Sequence, residues 1–273
     1  MSENPEIGKS VVAAGIKTNY LEQGSGPPVV LIHGSGPGVT AYANWRLVIP
    51  KLTPKFRVIA PDIVGFGYTD RPKDARYTMD YWLRHMVGFL DALEIDKASV
   101  VGNSFGGGLA VALAINHPQR VDKMVLMGAA GVSFKLTPGL DAVWGYEPSI
   151  DNMRKIVQLF AWNKALLTED LVKLRYEASV RPGYQESYAS MFPAPRQRHV
   201  EAMANPDDKI RAIPHETLVV HGRDDQVVPL ETSLKLSSLI PRSQLHVFGQ
   251  TGHWTQIERN KDFCRLVEGF LGD

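Results

Sequence analysis

Gly102-Asn103-Ser104-Phe105-Gly106-Gly107-Gly108 is the segment that most narrows what this chain can fold into. The apolar β-rich run Ser99-Val100-Val101 leads directly into it, and a helix-like apolar stretch over 104–116 leads directly out. A strand that turns into a helix this abruptly crowds its own backbone. Small residues must flank such a turn, and its apex is held at the C-terminal edge of a sheet. Here the apex is Ser104, in the pattern G-x-S-x-G. The helix that follows supplies free N–H groups and a positive dipole end, which suit a developing oxyanion. Without those flanks the segment is a Gly/Ser-rich turn with no chemistry; with them, Ser104 is the expected nucleophile.

The rest of the chain agrees with that turn. Apolar runs at 29–32, 57–60, 99–102 and 124–127 are bounded by turn residues and suit strands buried on both faces of a parallel sheet. Helix-like stretches at 80–93 and 104–116 alternate with them, as right-handed βαβ crossovers require. From about 133 to 206 strand-like runs vanish. Amphipathic stretches at 150–162, 168–179 and 185–191 replace them, punctuated by Pro138, Pro148, Pro182, Pro193 and Pro195. Strand grammar returns at 217–221 and 244–248, and a final helix is expected over 256–271. The expectation is an α/β core over 1–133 and 206–273 with a helical cap inserted at 134–205. A length of 273 residues accommodates one large domain with an insertion.

A serine hydroxyl is a weak nucleophile at neutral pH and needs a base, which in turn needs an orienting acid. In a sheet of this kind the acid follows a later strand and the histidine follows the next. His221-Gly222-Arg223-Asp224-Asp225-Gln226-Val227-Val228-Pro229 follows the first late run, and Gly249-Gln250-Thr251-Gly252-His253 follows the second. Asp225, four residues before the proline, is the expected acid and His253 the expected base; Asp224 is expected to cap the loop or to be solvated. His33 opens the loop His33-Gly34-Ser35-Gly36-Pro37-Gly38, where it is expected to act as a brace. That loop is placed to supply one oxyanion-hole amide, Ser35, to be paired with the amide of Phe105.

Composition removes several classes. A net charge of +1 without charged blocks argues against nucleic acid and anionic membrane as partners. The longest apolar run, 109–115, falls far short of the ~20 residues a membrane helix needs. Residues 1–10 are polar and show no secretory leader. The single cysteine, Cys264, excludes an intrachain disulfide and a cysteine metal cluster, and is expected as a buried apolar side chain. A cytoplasmic protein that binds no metal is expected.

With these motifs in view, the chain resembles the α/β-hydrolase fold, a mostly parallel eight-stranded sheet with a helical cap. Within that fold it resembles the C–C bond hydrolases of aromatic meta-cleavage pathways. The likeness covers essentially the whole chain and rests on HGSGPG with Asn44-Trp45-Arg46, on GNSFGGG, on HGRDDQVVP and on Gly252-His253-Trp254. The cap phrases Ala142-Val143-Trp144-Gly145-Tyr146 and Met191-Phe192-Pro193-Ala194-Pro195-Arg196-Gln197-Arg198 look like the branch that takes monocyclic substrates.

The resemblance implies hydrolysis of the C5–C6 bond of a 2-hydroxy-6-oxohexa-2,4-dienoate. The first substrate it implies is 2-hydroxymuconate 6-semialdehyde, cleaved to 2-hydroxypenta-2,4-dienoate and formate without metal or organic cofactor. It further implies that Arg181 anchors the substrate carboxylate, assisted by Asn44 and Asn103, with Trp254 beside the histidine, and that the protein is a homodimer or larger. Read without the resemblance, Arg181 is a surface ion pair, Asn44 a helix N-cap, Asn103 a turn residue and Trp254 core packing. Ala129, Val132, Leu140 and Trp144 are candidates for the wall around C6. The rival readings are an alkylbenzene ring-fission product hydrolase, a carboxylesterase or lactonase, a cofactor-free haloperoxidase and a ligand-binding protein without turnover. Dehalogenase and epoxide-hydrolase readings fail because their nucleophile is an aspartate.

Overall fold

Eight strands make one sheet in the computed structural model, which describes residues 4–272: β1 (Lys9–Ala13), β2 (Ile16–Gln23), β3 (Pro28–Ile32), β4 (Arg57–Pro61), β5 (Ala98–Asn103), β6 (Val121–Met127), β7 (Thr217–Gly222) and β8 (Ser243–Phe248). Their spatial order is β1-β2-β4-β3-β5-β6-β7-β8. β1 pairs antiparallel with β2, and β2 antiparallel with β4; the remaining pairings are parallel. Alternate residues of the central strands bury on opposite faces. Val30, Ile32 and Val100 join one apolar cluster, and Val29, Leu31 and Val101 join the other. This is why these runs carry no polar alternation.

Helices cover both faces. α1 (Ala41–Trp45) and α2 (Ile49–Leu52) follow β3, α3 (Met79–Ala92) precedes β5, and α4 (Phe105–Asn116) follows it. Every residue of α4 from Phe105 to Ala114 is buried, so its all-round apolar sequence reflects packing on all sides. Between β6 and β7 run α5 (Pro138–Trp144), α6 (Ile150–Phe160), α7 (Glu169–Ser179), α8 (Tyr184–Met191), α9 (Gln197–Met203) and α10 (Asp207–Arg211). α11 (Leu230–Leu239) joins β7 to β8, and α12 (Thr255–Glu258) and α13 (Asn260–Gly272) follow the last strand. Among the described residues no helix is long and apolar enough to cross a membrane.

Several boundaries differ from the sequence reading. The helix expected over 150–162 stops at Phe160, whose carbonyl accepts the Trp254 amide at 2.9 Å. The expected single helix over 256–271 is two, broken at Arg259. There the side chain turns back to donate to Thr251 Oγ1 at 2.9 Å and to the Gly249 carbonyl at 2.8 Å. α5 and α9 were not anticipated. Each is about two turns long, too short for apolar periodicity to stand out. Thr137, the N-cap of α5, and Pro138 at its first position were the signals on offer.

Candidate active site

The parallel strands deliver their C-terminal ends to one edge of the sheet, and the loops after β3, β5, β7 and β8 meet there. β5 ends at Asn103 and α4 begins at Phe105, so a single residue makes the turn. That residue, Ser104, has φ 55° and ψ −115°, a strained conformation for a side chain with a Cβ. The strain is held from several directions. The Ser104 amide donates to Met127 O at 2.9 Å, and its carbonyl accepts from the amides of Gly107, Gly108 and Ala130. Gly102 and Gly106 are needed for close approach: a Cβ on the first would strike the Gly106 carbonyl, and on the second the Ile32 carbonyl.

The loop after β7 carries Asp225. Its Oδ1 accepts the amides of Val227 at 2.7 Å and Val228 at 3.0 Å, and its Oδ2 faces His253 Nδ1 at 2.6 Å. His221 Nε2 lies 3.4 Å from the same oxygen while donating to Val228 O at 3.0 Å. Burial alone would raise the Asp225 carboxyl. The facing His253 and His221 rings and their hydrogen bonds outweigh burial and hold it well below the usual carboxylate range. An ionised Asp225 makes His253 Nδ1 the donor and leaves Nε2 for the cavity that His253 shares with Ser104. Asp224 instead accepts the Thr251 amide at 3.2 Å, within the loop.

On the other side, His33 Nδ1 donates to Gly34 O at 2.7 Å and its Nε2 accepts the Ile63 amide at 3.0 Å. Burial pushes this imidazole down to about 4, so it is a neutral brace for the loop. Ser35 Oγ accepts Trp144 Nε1–H at 3.0 Å, which ties the loop to α5. Among the described residues, the backbone amides of Ser35 and Phe105 donate to no other protein group. Ser35 lines the cavity that contains Ser104, and Phe105 is the first residue of the helix after it but is not in the cavity lining.

Ser35, Asn44, Asn103, Ser104, His253 and Trp254 line one small cavity. Arg181 does not. Its Nη1 pairs with Glu6 Oε2 at 2.6 Å, and its guanidinium lies over the rings of Tyr68 and Tyr184 at 5.3 and 5.7 Å. The arginine in the cavity wall is Arg175, whose Nη2 donates to Pro37 O at 3.0 Å. The reason lies in α7. Val172, Ala178 and Ser179 form its buried stripe, and Arg175 falls on that stripe, whereas Arg181 comes after the helix has ended at Ser179. A cation on the buried face of an amphipathic helix was the missed signal. Burial pushes Arg175 down to about 10, with Glu6 opposing and Arg46 and Arg181 adding to the effect, so it stays charged at neutral pH.

Of the residues considered for the apolar wall, Leu140 lines the cavity, together with Val143, Phe160 and Val227, which sequence reading missed. Trp144 stacks on Phe192 instead, with centroids 4.4 Å apart, and Ala129 and Val132 are buried in the core behind. Among the described residues no cluster of His, Cys, Asp and Glu has the arrangement to hold a metal ion. A serine that shares a cavity with the His253–Asp225 pair, together with two amides lacking a protein acceptor and an arginine without a carboxylate partner among the described residues, forms a site suited to attack on a carbonyl in a molecule that also carries an anionic group.

Comparison with known proteins agrees with this geometry. The α/β-hydrolase fold family matches residues 27–260. The chain is 60% identical over 270 residues to a 2-hydroxymuconate semialdehyde hydrolase of Pseudomonas sp. (strain CF600), covering 99% of this chain and 95% of that one. It is 62% identical over 268 residues to a 2-hydroxy-6-oxo-2,4-heptadienoate hydrolase of Pseudomonas putida, covering 98% and 97%. A meta-cleavage product hydrolase structure from Pseudomonas fluorescens IP01 superposes with a TM-score of 0.98 at 60% identity, covering 98% of this chain and 99% of that one.

Proposed function

The chain belongs to the α/β-hydrolase fold family and, within it, to the meta-cleavage product hydrolases, and from this premise we propose a substrate and a set of residue roles. The substrate is 2-hydroxymuconate 6-semialdehyde, cleaved at C5–C6 to 2-hydroxypenta-2,4-dienoate and formate. One observation carries the reading: the cavity holding Ser104 and the His253–Asp225 pair also holds Arg175, a cation met by no carboxylate among the described residues. A simple esterase has no use for that cation, whereas a dienoate carboxylate does.

A carbon–carbon bond breaks hydrolytically only if the departing carbon can shed its electron pair. The dienol first ketonises, with C5 taking a proton and C2 becoming an electron-accepting carbonyl. Arg175, Asn44 and Asn103 hold the C1–C2 end through this change, with Trp254 alongside. Asn44 Nδ2 is a buried donor without a protein partner, which supports that role. At the other end Ser104 attacks the C6 carbonyl as His253 takes its proton. Asp225 fixes the His253 tautomer, and the amides of Ser35 and Phe105 receive the oxyanion. Collapse breaks C5–C6, the electron pair flows through the C3–C4 double bond to the C2 oxygen, and the dienol leaves. Water then releases formate.

Residues 134–205 are assigned as the cap over a core of 1–133 and 206–273. The bonds Trp144–Ser35 and Arg175–Pro37 support this by tying α5 and α7 to the β3 loop. We further place the enzyme in the cytoplasm, as its single cysteine suggests, and as a homodimer or larger assembly. β8 supports the latter as a sheet-edge strand with Val247 exposed.

A second substrate is the 6-methyl homologue, favoured by the 62%-identical relative and by the apolar wall of Leu140, Val143 and Val227. The test follows loss of dienoate absorbance with the C6 substituent varied through hydrogen, methyl, isopropyl and phenyl, with Ser104→Ala beside each. Best turnover with hydrogen, with formate released and the alanine variant inactive, is expected. A maximum at methyl selects the second substrate, and failure on all four overturns the C–C hydrolase reading.

A further inference from the structure

The cavity that contains Ser104 has only about 40 Å³ of free space, room for a few water molecules. A second cavity of about 280 Å³ adjoins it, and Val39, Asn44, Arg175 and Trp254 stand in both walls. A six-carbon dienoate that brings C6 to Ser104 therefore extends past Asn44, Arg175 and Trp254 into this outer cavity with its hydroxy-carboxylate head. Two features of that outer wall have no part in the mechanism so far. Arg46 is a second guanidinium there, and its Nη1 donates to the Ala43 carbonyl at 2.8 Å. Gln256, on α12, is 1% exposed, and its Oε1 has no hydrogen-bond partner. The amide orientation follows from chemistry. Gln256 Nε2 lies 3.3 Å from the Asn44 carbonyl, which can only accept, so the oxygen is the end left free.

We propose that Arg46 and Gln256 complete a recognition site for the 2-hydroxy-carboxylate head in the outer cavity. This rests on the C–C hydrolase reading. The head offers one hydroxyl proton and one carboxylate, and takes on a second negative charge as the 2-oxygen becomes an enolate. Gln256 Oε1 is a buried acceptor for that hydroxyl. Arg46 and Arg175 are two cations for the two charges, so Arg46 is matched to the dienolate more closely than to a plain carboxylate. A buried acceptor left empty is costly, so the site discriminates against carboxylates that lack the 2-hydroxyl.

The experiment titrates the Ser104→Ala protein, alone and combined with Arg46→Gln or Gln256→Met, with 2-hydroxypenta-2,4-dienoate and with penta-2,4-dienoate. The parent is expected to prefer the hydroxylated ligand at least tenfold, and Gln256→Met to erase that preference. Arg46→Gln is expected to weaken the hydroxylated ligand about tenfold and flatten its salt dependence, with Arg46→Lys recovering part of the loss. Thermal melts check that each variant is folded. In otherwise wild-type protein the loss of kcat/KM should be larger on the dienoate than on p-nitrophenyl acetate, which has no hydroxy-carboxylate head for Arg46 and Gln256 to hold. An undiminished preference in Gln256→Met with unchanged affinity in Arg46→Gln overturns the proposal, as does equal loss on dienoate and ester. Failure of the wild-type enzyme to cleave any dienoate, with the binding results as expected, overturns the reaction and leaves the site standing.

Discussion

Arg175 and Arg181 lie six residues apart, and one of them lines the cavity that contains Ser104 while the other is clasped by Glu6. Charge-assisted hydrogen bonds are worth ~1.5–3 kcal/mol, so Arg175→Gln is expected to lower kcat/KM on the dienoate by about 10- to 100-fold. Arg181→Gln should leave turnover nearly intact and cost ~1 kcal/mol or less of stability, since its ion pair is partly exposed. Steady-state kinetics and urea unfolding on the two variants separate them, and the reverse pattern would return the anchor to Arg181. Asp225→Asn tests the other end of the site. With the carboxylate gone, His253 is free to adopt the wrong tautomer, and kcat should fall by about 10⁴-fold. A loss below tenfold would remove Asp225 from the mechanism.

At the scale of elements, α7 is the piece that presents Arg175. Eleven residues make a marginal helix in isolation. Its order depends on Val172 and Ala178 packing inward and on Thr168, whose side chain accepts the Leu171 amide at 3.2 Å. Thr168→Ala is expected to cost ~1 kcal/mol of local stability and to speed amide hydrogen exchange across 169–179. KM for the dienoate should rise more than for a small ester. Uniform exchange across the whole chain would show that α7 does not open separately. α5 is tied differently, through Trp144 Nε1–H to Ser35 Oγ, so cap placement and the oxyanion loop share one hydrogen bond. Trp144→Phe leaves a ring beside Phe192 and removes that bond together with part of a buried side chain. At least about 1 kcal/mol of stability should go with the bond, and more with the void; calorimetry checks this.

Across the whole molecule the buried titratable groups set the response to acid. Burial pushes His33 and His85 down to about 4 and Asp62 up to about 6. The unfolded chain binds protons at both histidines as pH falls below their usual range, while the native state holds them neutral. Stability is therefore lost from about pH 6.5 to 4. Asp62 acts the other way: the native state binds its proton first, so stability is regained as pH falls from about 6. His33 and His85 against Asp62 leave a net loss of about 2 kcal/mol between pH 7 and 5, by linkage, and His199 and His215, also pushed down by burial, add to it. Urea unfolding at the two pH values measures it, and His85→Gln should reduce the loss. Asp225 contributes stability that disappears only at much lower pH, since its carboxyl is held well below the usual range.

Local chemistry was enough to read the sheet and to place Ser104, Asp225 and His253 together at its C-terminal edge. A one-residue turn between a buried strand and a buried helix needs glycines beside Ser104, so the turn is written in consecutive residues. The acid and base loops likewise follow their own strands at short range, and Asp225 and His253 do meet, 2.6 Å apart. The doubly apolar strands announced a sheet buried on both faces. What sequence left open was whatever depends on two distant segments meeting. Arg181 and Arg175 are equally basic along the chain, and the choice between them was made by the face α7 buries and by Glu6, 175 residues away from Arg181. Gln256 became an empty acceptor only because α12 packs its amide nitrogen against the Asn44 carbonyl, 212 residues distant. Order along the chain fixes short-range turns, whereas burial and charge pairing across the cap are settled only when the two layers pack together.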